Sequence, residues 1–147
     1  MKKMVVSPIN KSDIQSKIYT IRNKQVMLDE DLARLYHVET KALNQTFKRN
    51  SDRFPKEFCF QLTKSEYKNL RSQIVTSKNK GGRRYLPYVF TEQGVAMLSA
   101  VLKSEIAIKV SIQIMTAFVQ MRKYINSHYQ LYQKIKDIEK TQIIYGI

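Results

Sequence analysis

The run 26–50 restricts the possible folds of this chain more than any other segment. Three consecutive acids at 29–31 precede apolar residues at helical spacing, and we expect Asp29 to cap the helix that begins there, because a carboxylate accepts free backbone N–H groups. After a break at 37–39, a second helical run opens at Thr40 and turns Leu43 and Phe47 to one side. Two short helices joined by a tight turn predict a helix-turn-helix, whose second helix fits the major groove of DNA.

The second predicted helix carries amide, hydroxyl and cationic side chains. Asparagine and glutamine can pair with adenine through two hydrogen bonds, and lysine and arginine can pair with guanine. The residues that we expect to contact DNA are Thr40, Lys41, Asn44, Gln45, Lys48 and Arg49. Helix surfaces often carry amides, so an acidic protein partner is an alternative for this face.

Positive charge is concentrated in the same part of the chain. The sequence has 26 Lys and Arg against 12 Asp and Glu, a net charge of +14, and the 45 positions 41–85 hold +9 of it. A basic patch of this kind suits a phosphate backbone. General solubility is the alternative explanation, although solubility alone does not require the charges to cluster.

A basic loop follows the predicted helix-turn-helix. We expect strands at 73–76 and 85–90, and between them a loop with two glycines. Glycine lets the backbone approach a ligand closely, and cations beside it can contact phosphates or a minor groove. The loop therefore predicts a DNA-binding wing, with an ordinary solvated loop as the alternative. Its candidate contact residues are Lys78, Lys80, Arg83 and Arg84.

The other segments predict a small α+β domain. Beta-branched and apolar runs at 18–22 and 25–28 favour a hairpin that turns at Asn23-Lys24, because asparagine tolerates positive φ. The alternation of Phe58, Phe60 and Leu62 is typical of a half-buried strand. Three further helices are expected after capping residues, with a close contact between elements at Gly94. Those capping residues are Thr63, Thr91 and Ser104.

Chemistry beyond binding has little support in the sequence. Cys59 lies between two phenylalanines and is expected to be a small buried side chain in a reducing cytoplasm. His37 and His128 have no cysteine or acidic pair near them at ligand spacing, and the acids outside 29–31 are scattered. We therefore expect no enzyme, cofactor or metal site. No stretch approaches the ~20 apolar residues of a membrane span, so we expect a soluble, nucleoid-associated cytoplasmic protein.

The C-terminal third has apolar residues spaced alternately four and three positions apart. This spacing starts at Val110 and runs to Tyr145, and its period of 3.5 is typical of a coiled coil. A second apolar stripe predicts that the first half also docks on the domain; it consists of Ile108, Ile112, Met115 and Val119. The second half would then pair with a copy of itself, although a helix folded back on its own domain is the alternative. The expected dimerisation residues are Met121, Tyr124, His128, Leu131, Ile135 and Ile138.

Four motifs follow one another along the chain: VMLDEDLARLY, the RFP turn, FQLT with LRSQ, and GGRRYLPYVFTEQGVAML. In this combination they resemble the ORF6N domain, a relative of the KilA-N and Bro-N domains of phages, prophages and large DNA viruses. The resemblance covers about 18–122 and implies DNA binding by a phage regulator or antirepressor. His37 stands where the family usually has glycine, and we expect the turn to survive because histidine tolerates positive φ better than most residues.

These features together predict three segments and one function. We expect a flexible arm at 1–17, a DNA-binding domain at 18–122 and a dimerisation helix at 123–147. The chain would bind double-stranded DNA as a dimer and act as a phage- or prophage-type transcriptional regulator or antirepressor. The alternative is a module that sequesters a repressor protein without contacting DNA.

Overall fold

The computed structural model describes residues 11–74 and 85–144. The described residues form an α+β fold, as the sequence predicts, with a four-stranded antiparallel sheet and six α-helices. A short 3-10 turn lies at Ser51–Arg53. The elements in chain order are α1 (Lys11–Gln15), β1 (Tyr19–Ile21), β2 (Lys24–Leu28), α2 (Asp29–Tyr36), α3 (Thr40–Arg49), β3 (Cys59–Gln61), α4 (Lys64–Gln73), β4 (Tyr88–Phe90), α5 (Glu92–Leu102) and α6 (Glu105–Ile144).

The sheet has the strand order β1-β2-β4-β3. The predicted hairpin joins β1 to β2, but Ile21 pairs with Lys24, so the two turn residues are Arg22 and Asn23. The predicted turn is one residue too late. Both turn residues have positive φ, 55° and 61°, which gives a two-residue turn the twist of the strands that flank it.

Both faces of the sheet are buried, because helices cover each of them. Cys59 and Phe90 belong to the larger hydrophobic cluster, which they form with α2, α3, α5 and α6. Phe60 and Val89 belong to a smaller cluster on the opposite face, where α4 contributes Leu70. Consecutive strand residues point to opposite faces, so the short strands β3 and β4 each serve both clusters. The predicted strand at Phe60 is confirmed.

The predicted helix-turn-helix is formed by α2 and α3. After Tyr36 ends α2, His37 adopts a left-handed backbone conformation with φ 60° and ψ 41°. The N–H groups of His37 and Val38 donate to the carbonyls of Arg34 and Ala33 at 3.2 and 2.9 Å. This is the Schellman arrangement, which glycine usually completes. The turn therefore survives with histidine in place of glycine, as predicted.

The N-terminus of α2 differs from the prediction by one position. Asp29 is the first residue of the helix, and the N-cap is Leu28 in an extended conformation. The reason is that β2 runs into α2 without an intervening loop. The three other predicted caps are confirmed, because the side chains of Thr63, Thr91 and Ser104 accept backbone N–H groups of the helices that follow them. The close contact predicted at Gly94 is confirmed as well. A Cβ at Gly94 would collide with the carbonyl oxygen of Phe58.

The predicted basic hairpin is only partly described. Gln73 is the last residue of α4, so the strand expected to begin there does not. β4 is present at Tyr88–Phe90, but it pairs with β2 on one side and β3 on the other. Both edges of β4 are therefore occupied by strands distant in sequence. The predicted wing residues Lys78, Lys80, Arg83 and Arg84 lie outside the described residues.

The long C-terminal helix is confirmed as α6, and its first half docks on the domain. Val110, Ile114 and Ala117, which belong to the 3.5-residue repeat, pack into the larger cluster. Ile108 and Ile112 of the second stripe are 51% and 60% exposed, so the prediction that they are buried is wrong. The other two residues of this stripe, Met115 and Val119, are half-buried, and Met115 packs against the larger cluster. At about 100° per residue, Ile108 and Ile112 lie nearly opposite Val110 and Ile114 on the helix, which leaves them in solvent.

Candidate nucleic-acid interface

Aromatic packing holds α3 against the sheet. Leu43 and Phe47 are its buried residues. The ring of Phe47 makes edge contacts with the rings of Phe54, Tyr88 and Phe90, at centroid distances of 5.5, 4.8 and 5.5 Å. Edge-to-face pairs of this kind add specific geometry to the burial of apolar area. The inner face of α3 therefore fixes which side chains its outer face presents.

Gln45 lies at the centre of the outer face of α3. At 100° per residue, Lys41 and Lys48 lie roughly 40° and 60° to one side of it, and Arg49 lies roughly 40° to the other. All four side chains are exposed. The Nζ atom of Lys48 lies 5.3 Å from the centroid of the Tyr88 ring, within cation–π distance. The outer face thus combines a central amide with flanking cations.

Asn44 is turned away from this face. Its Nδ2 donates a hydrogen bond to Oδ2 of Asp29 at 3.0 Å, and its Oδ1 is buried without a hydrogen-bond partner among the described residues. Of the two amides predicted to contact bases, Gln45 is exposed to solvent, whereas Asn44 is half-buried and hydrogen-bonded to Asp29. Thr40, the first residue of α3, is half-buried.

Asp29 joins three elements through one buried carboxylate. Its Oδ1 accepts the backbone N–H of Glu30 at 2.7 Å, and its Oδ2 accepts both Asn44 and the backbone N–H of Tyr88, the latter at 3.2 Å. The residue is fully buried, and a buried charge requires partners of this kind. Sequence reasoning explained Asp29 by helix capping and missed this role. The available signal was its position directly after the apolar residues 26–28, where an acid is not expected to face water.

The chain that follows the basic segment 75–84 contacts α3 at Tyr88. The described chain ends at Ile74 and resumes at Tyr85, which is 68% exposed. Three residues later comes Tyr88, whose ring contacts Lys48. The neighbouring carbonyl of Pro87 accepts the N–H of Leu62 at 2.9 Å, which fixes this end of the segment to the sheet. The described chain that follows the predicted wing residues therefore passes close to the C-terminal part of α3.

A further row of cations lies on α4, where sequence analysis assigned no role. The single acid of α4, Glu66, forms an ion pair with Arg22 at 2.7 Å, and the hydrogen bond from Arg22 lowers the pKa of the Glu66 carboxyl to about 2. The negative charge of Glu66 is thus paired with the guanidinium of Arg22 in the β1–β2 turn. The cations, spaced four and three residues apart along one side of the helix, are Lys64, Lys68 and Arg71.

The predicted dimerisation residues lie on α6 where its contacts with the domain end. Met121 is half-buried, and His128 is exposed with its ring 4.0 Å from that of Tyr124. The other predicted residues are 48% to 59% exposed: Tyr124, Leu131, Ile135 and Ile138. A contiguous row of exposed apolar side chains is typical of a surface that another helix covers.

Three further properties of the described residues bear on function. No group of three His, Cys, Asp or Glu side chains in this part of the chain could hold a metal ion. Cys59 is buried, as predicted, and burial raises the pKa of its thiol. None of the described helices combines the length and the apolar character needed to cross a membrane.

The comparison with known proteins identifies the family. A family model of the ORF6N domain matches residues 16–101, which is more than half of the chain and includes the helix-turn-helix, the sheet and α4. No curated protein and no solved structure matches the chain. The matched span contains all four motifs that the sequence analysis singled out, and the resemblance stated there is confirmed. The chain belongs to the ORF6N domain family.

Proposed function

We propose that this chain binds double-stranded DNA as a dimer and acts as a phage-type transcriptional regulator or antirepressor. The observation that carries the proposal is the outer face of α3, where exposed Gln45 lies between Lys41, Lys48 and Arg49. The buried side chains of the same helix hold it against the sheet. An amide among cations on a firmly packed second helix suits base edges and phosphates together.

In this mechanism α3 enters the major groove, which is wide enough to admit a helix. Gln45 at the centre meets a base edge, with adenine as the expected partner. Lys41 and Arg49 lie beside it and reach bases or phosphates. Lys48, drawn to the side by the Tyr88 ring, is better placed for a flanking phosphate.

Two further parts of the chain complete the proposal. The basic residues Lys78, Lys80, Arg83 and Arg84 precede Tyr88 in the chain, and Tyr88 contacts α3. We therefore assign these cations to the phosphate backbone alongside that helix. The exposed row on the second half of α6 pairs with a copy of itself. A dimer of this kind would bind a DNA site made of two half-sites, since two-fold symmetry in the protein matches two-fold symmetry in the operator.

The division of labour between α3 and the basic segment is testable. Gln45→Ala should reduce the preference for a selected duplex over a scrambled one, because it removes a contact to a base. Arg83→Ala combined with Arg84→Ala should instead weaken binding to every duplex and reduce the salt slope by about one unit for each phosphate that is no longer neutralised. Gln113→Ala, at an exposed amide on α6, is the matched control. Equal effects of both changes on all duplexes would contradict the assignment.

A second candidate is a module that binds a repressor protein without DNA. The observation that favours it is the row of exposed apolar side chains on the second half of α6, which ends at Ile138. Such a surface can bind a protein without any use of the amide and cations of α3. Loss of repressor capture on changing α6, with no duplex binding by the unchanged protein, would favour this candidate.

A further inference from the structure

We propose that Asp29 is a positioning residue that sets the orientation of α3 for sequence recognition. This inference rests on the proposed DNA binding and assigns Asn44 to the same device instead of to a base contact. One oxygen, Oδ2, accepts both the side-chain N–H of Asn44 on α3 and the backbone N–H of Tyr88 at the start of β4. The helix α3 and the strand β4 therefore both donate a hydrogen bond to the same oxygen atom of Asp29.

The hydrogen bond between Asn44 and Asp29 is placed so that it can restrain rotation of α3 about its own axis. Leu43 and Phe47 anchor one side of the helix in the apolar core, and apolar contacts alone are non-directional. Asn44 lies on another side of the helix, and its hydrogen bond to Asp29 adds the directional restraint against rotation about the helix axis. A binding site must be held within about 0.5 Å and 10–20° of its productive geometry. A small rotation of this helix would move the Gln45 amide by more than that distance.

A direct contact of Asn44 with a base would have to break this arrangement. Its Nδ2 would leave Asp29, whose carboxylate is fully buried, and a buried carboxylate that loses a hydrogen-bond donor is costly. The burial of the Asn44 Oδ1 atom also removes the second half of a bidentate pair with adenine. Gln45, one residue later and about 100° around the helix, meets neither obstacle.

The test is a double-mutant cycle that is read out as sequence preference. A duplex is first enriched by in vitro selection on the unchanged protein, and the ratio of its affinity to that of a scrambled duplex is then measured. Asp29→Ala, Asn44→Ala and the double variant should each lower this ratio at least tenfold. The double variant should lose much less than the product of the two single fold-losses, because each change removes the same hydrogen bond. The salt slope should stay unchanged, since the contacts to phosphates remain in place.

Asp31→Ala is the matched control, because Asp31 is a buried acid in the same turn of α2 and should leave the ratio unchanged. A reduced ratio in Asn44→Ala together with an unchanged ratio in folded Asp29→Ala would show that Asn44 touches the base itself, and would overturn the inference. Additive losses in the double variant would overturn it as well.

A measurement without DNA separates this inference from the proposed function and does not depend on Asp29→Ala being folded. In the free, unchanged protein the side-chain amide protons of Asn44 should exchange with solvent at least tenfold more slowly than those of Gln45. Equal exchange would show that the hydrogen bond to Asp29 is not maintained. If the protein bound no duplex while the exchange difference was present, the DNA-binding proposal would fail and the hydrogen bond would stand as a structural one.

Discussion

At the scale of single residues, His37 occupies a backbone conformation that glycine adopts without steric cost. Its φ is 60°, and the left-handed region costs an ordinary residue about 1 kcal/mol. His37→Gly should therefore raise the free energy of unfolding by up to about 1 kcal/mol, part of the gain being offset by the greater freedom of glycine in the unfolded chain. His37→Val should lower it, since β-branched residues suit this region least. Urea unfolding measures both, and a less stable glycine variant would contradict this interpretation of the turn.

Asp31 makes a pH-dependent contribution to stability. It is 7% exposed, and burial, opposed in part by Lys17, raises the pKa of its carboxyl to about 6. The folded state therefore holds the proton more tightly than the unfolded state, so Asp31 destabilises the fold at pH 7, and stability increases as the pH falls through 6 toward 4. Asp31→Asn should stabilise the protein at pH 7 by on the order of 2 kcal/mol.

The test of this prediction is the difference in the free energy of unfolding between Asp31→Asn and the unchanged protein. Urea unfolding measures this difference at several pH values from 7 to 4. We expect that difference to shrink steadily as the pH falls. Asp52→Asn, at an exposed aspartate, serves as the control. A difference that stayed constant over this range would show that the Asp31 carboxyl does not titrate there.

At the scale of elements, the second half of α6 carries the proposed dimer. Leu131, Ile135 and Ile138 follow the 3.5-residue repeat and are 56%, 48% and 59% exposed. Leu131→Glu should shift the protein from dimer to monomer, because it places a charge in the apolar seam. Gln133→Glu adds the same charge on the opposite side of the helix and should leave the dimer intact. Sedimentation velocity at micromolar concentration distinguishes the two, and an unchanged protein that sediments as a monomer would contradict the proposal.

The elements also differ in how far the sequence can predict them. Helices capped by Thr63, Thr91 and Ser104 are predictable because capping depends on neighbours within one turn. The place of β4 between β2 and β3 is not, because it depends on strands that are distant in sequence. The orientation of the Asn44 side chain toward Asp29 is also not predictable from local sequence. Helical spacing puts Asn44 at the edge of the buried face, but its partner Asp29 comes from another helix.

At the scale of the whole molecule, the sheet and its helices form one scaffold that presents α3. The first half of α6 adds Val110, Ile114 and Phe118 to the larger cluster, beyond the end of the family match at residue 101. A buried hydrogen bond at 2.6 Å between Tyr36 and Ser111 also ties α2 to α6. The helix-turn-helix and the proposed dimer helix are therefore packed against each other, so that pairing through α6 would fix the separation of two copies of α3.

The central claim is that this scaffold binds duplex DNA, and one titration tests it most directly. Fluorescence anisotropy of a mixed-sequence duplex of about 30 bp is measured at low and moderate salt, beside a single strand and an RNA hairpin. The account predicts duplex binding near the micromolar range that weakens steeply with salt, because the contacts made to a mixed sequence are mainly to phosphates. Absence of duplex binding even at low salt would contradict the account and leave the protein-binding module as the leading candidate.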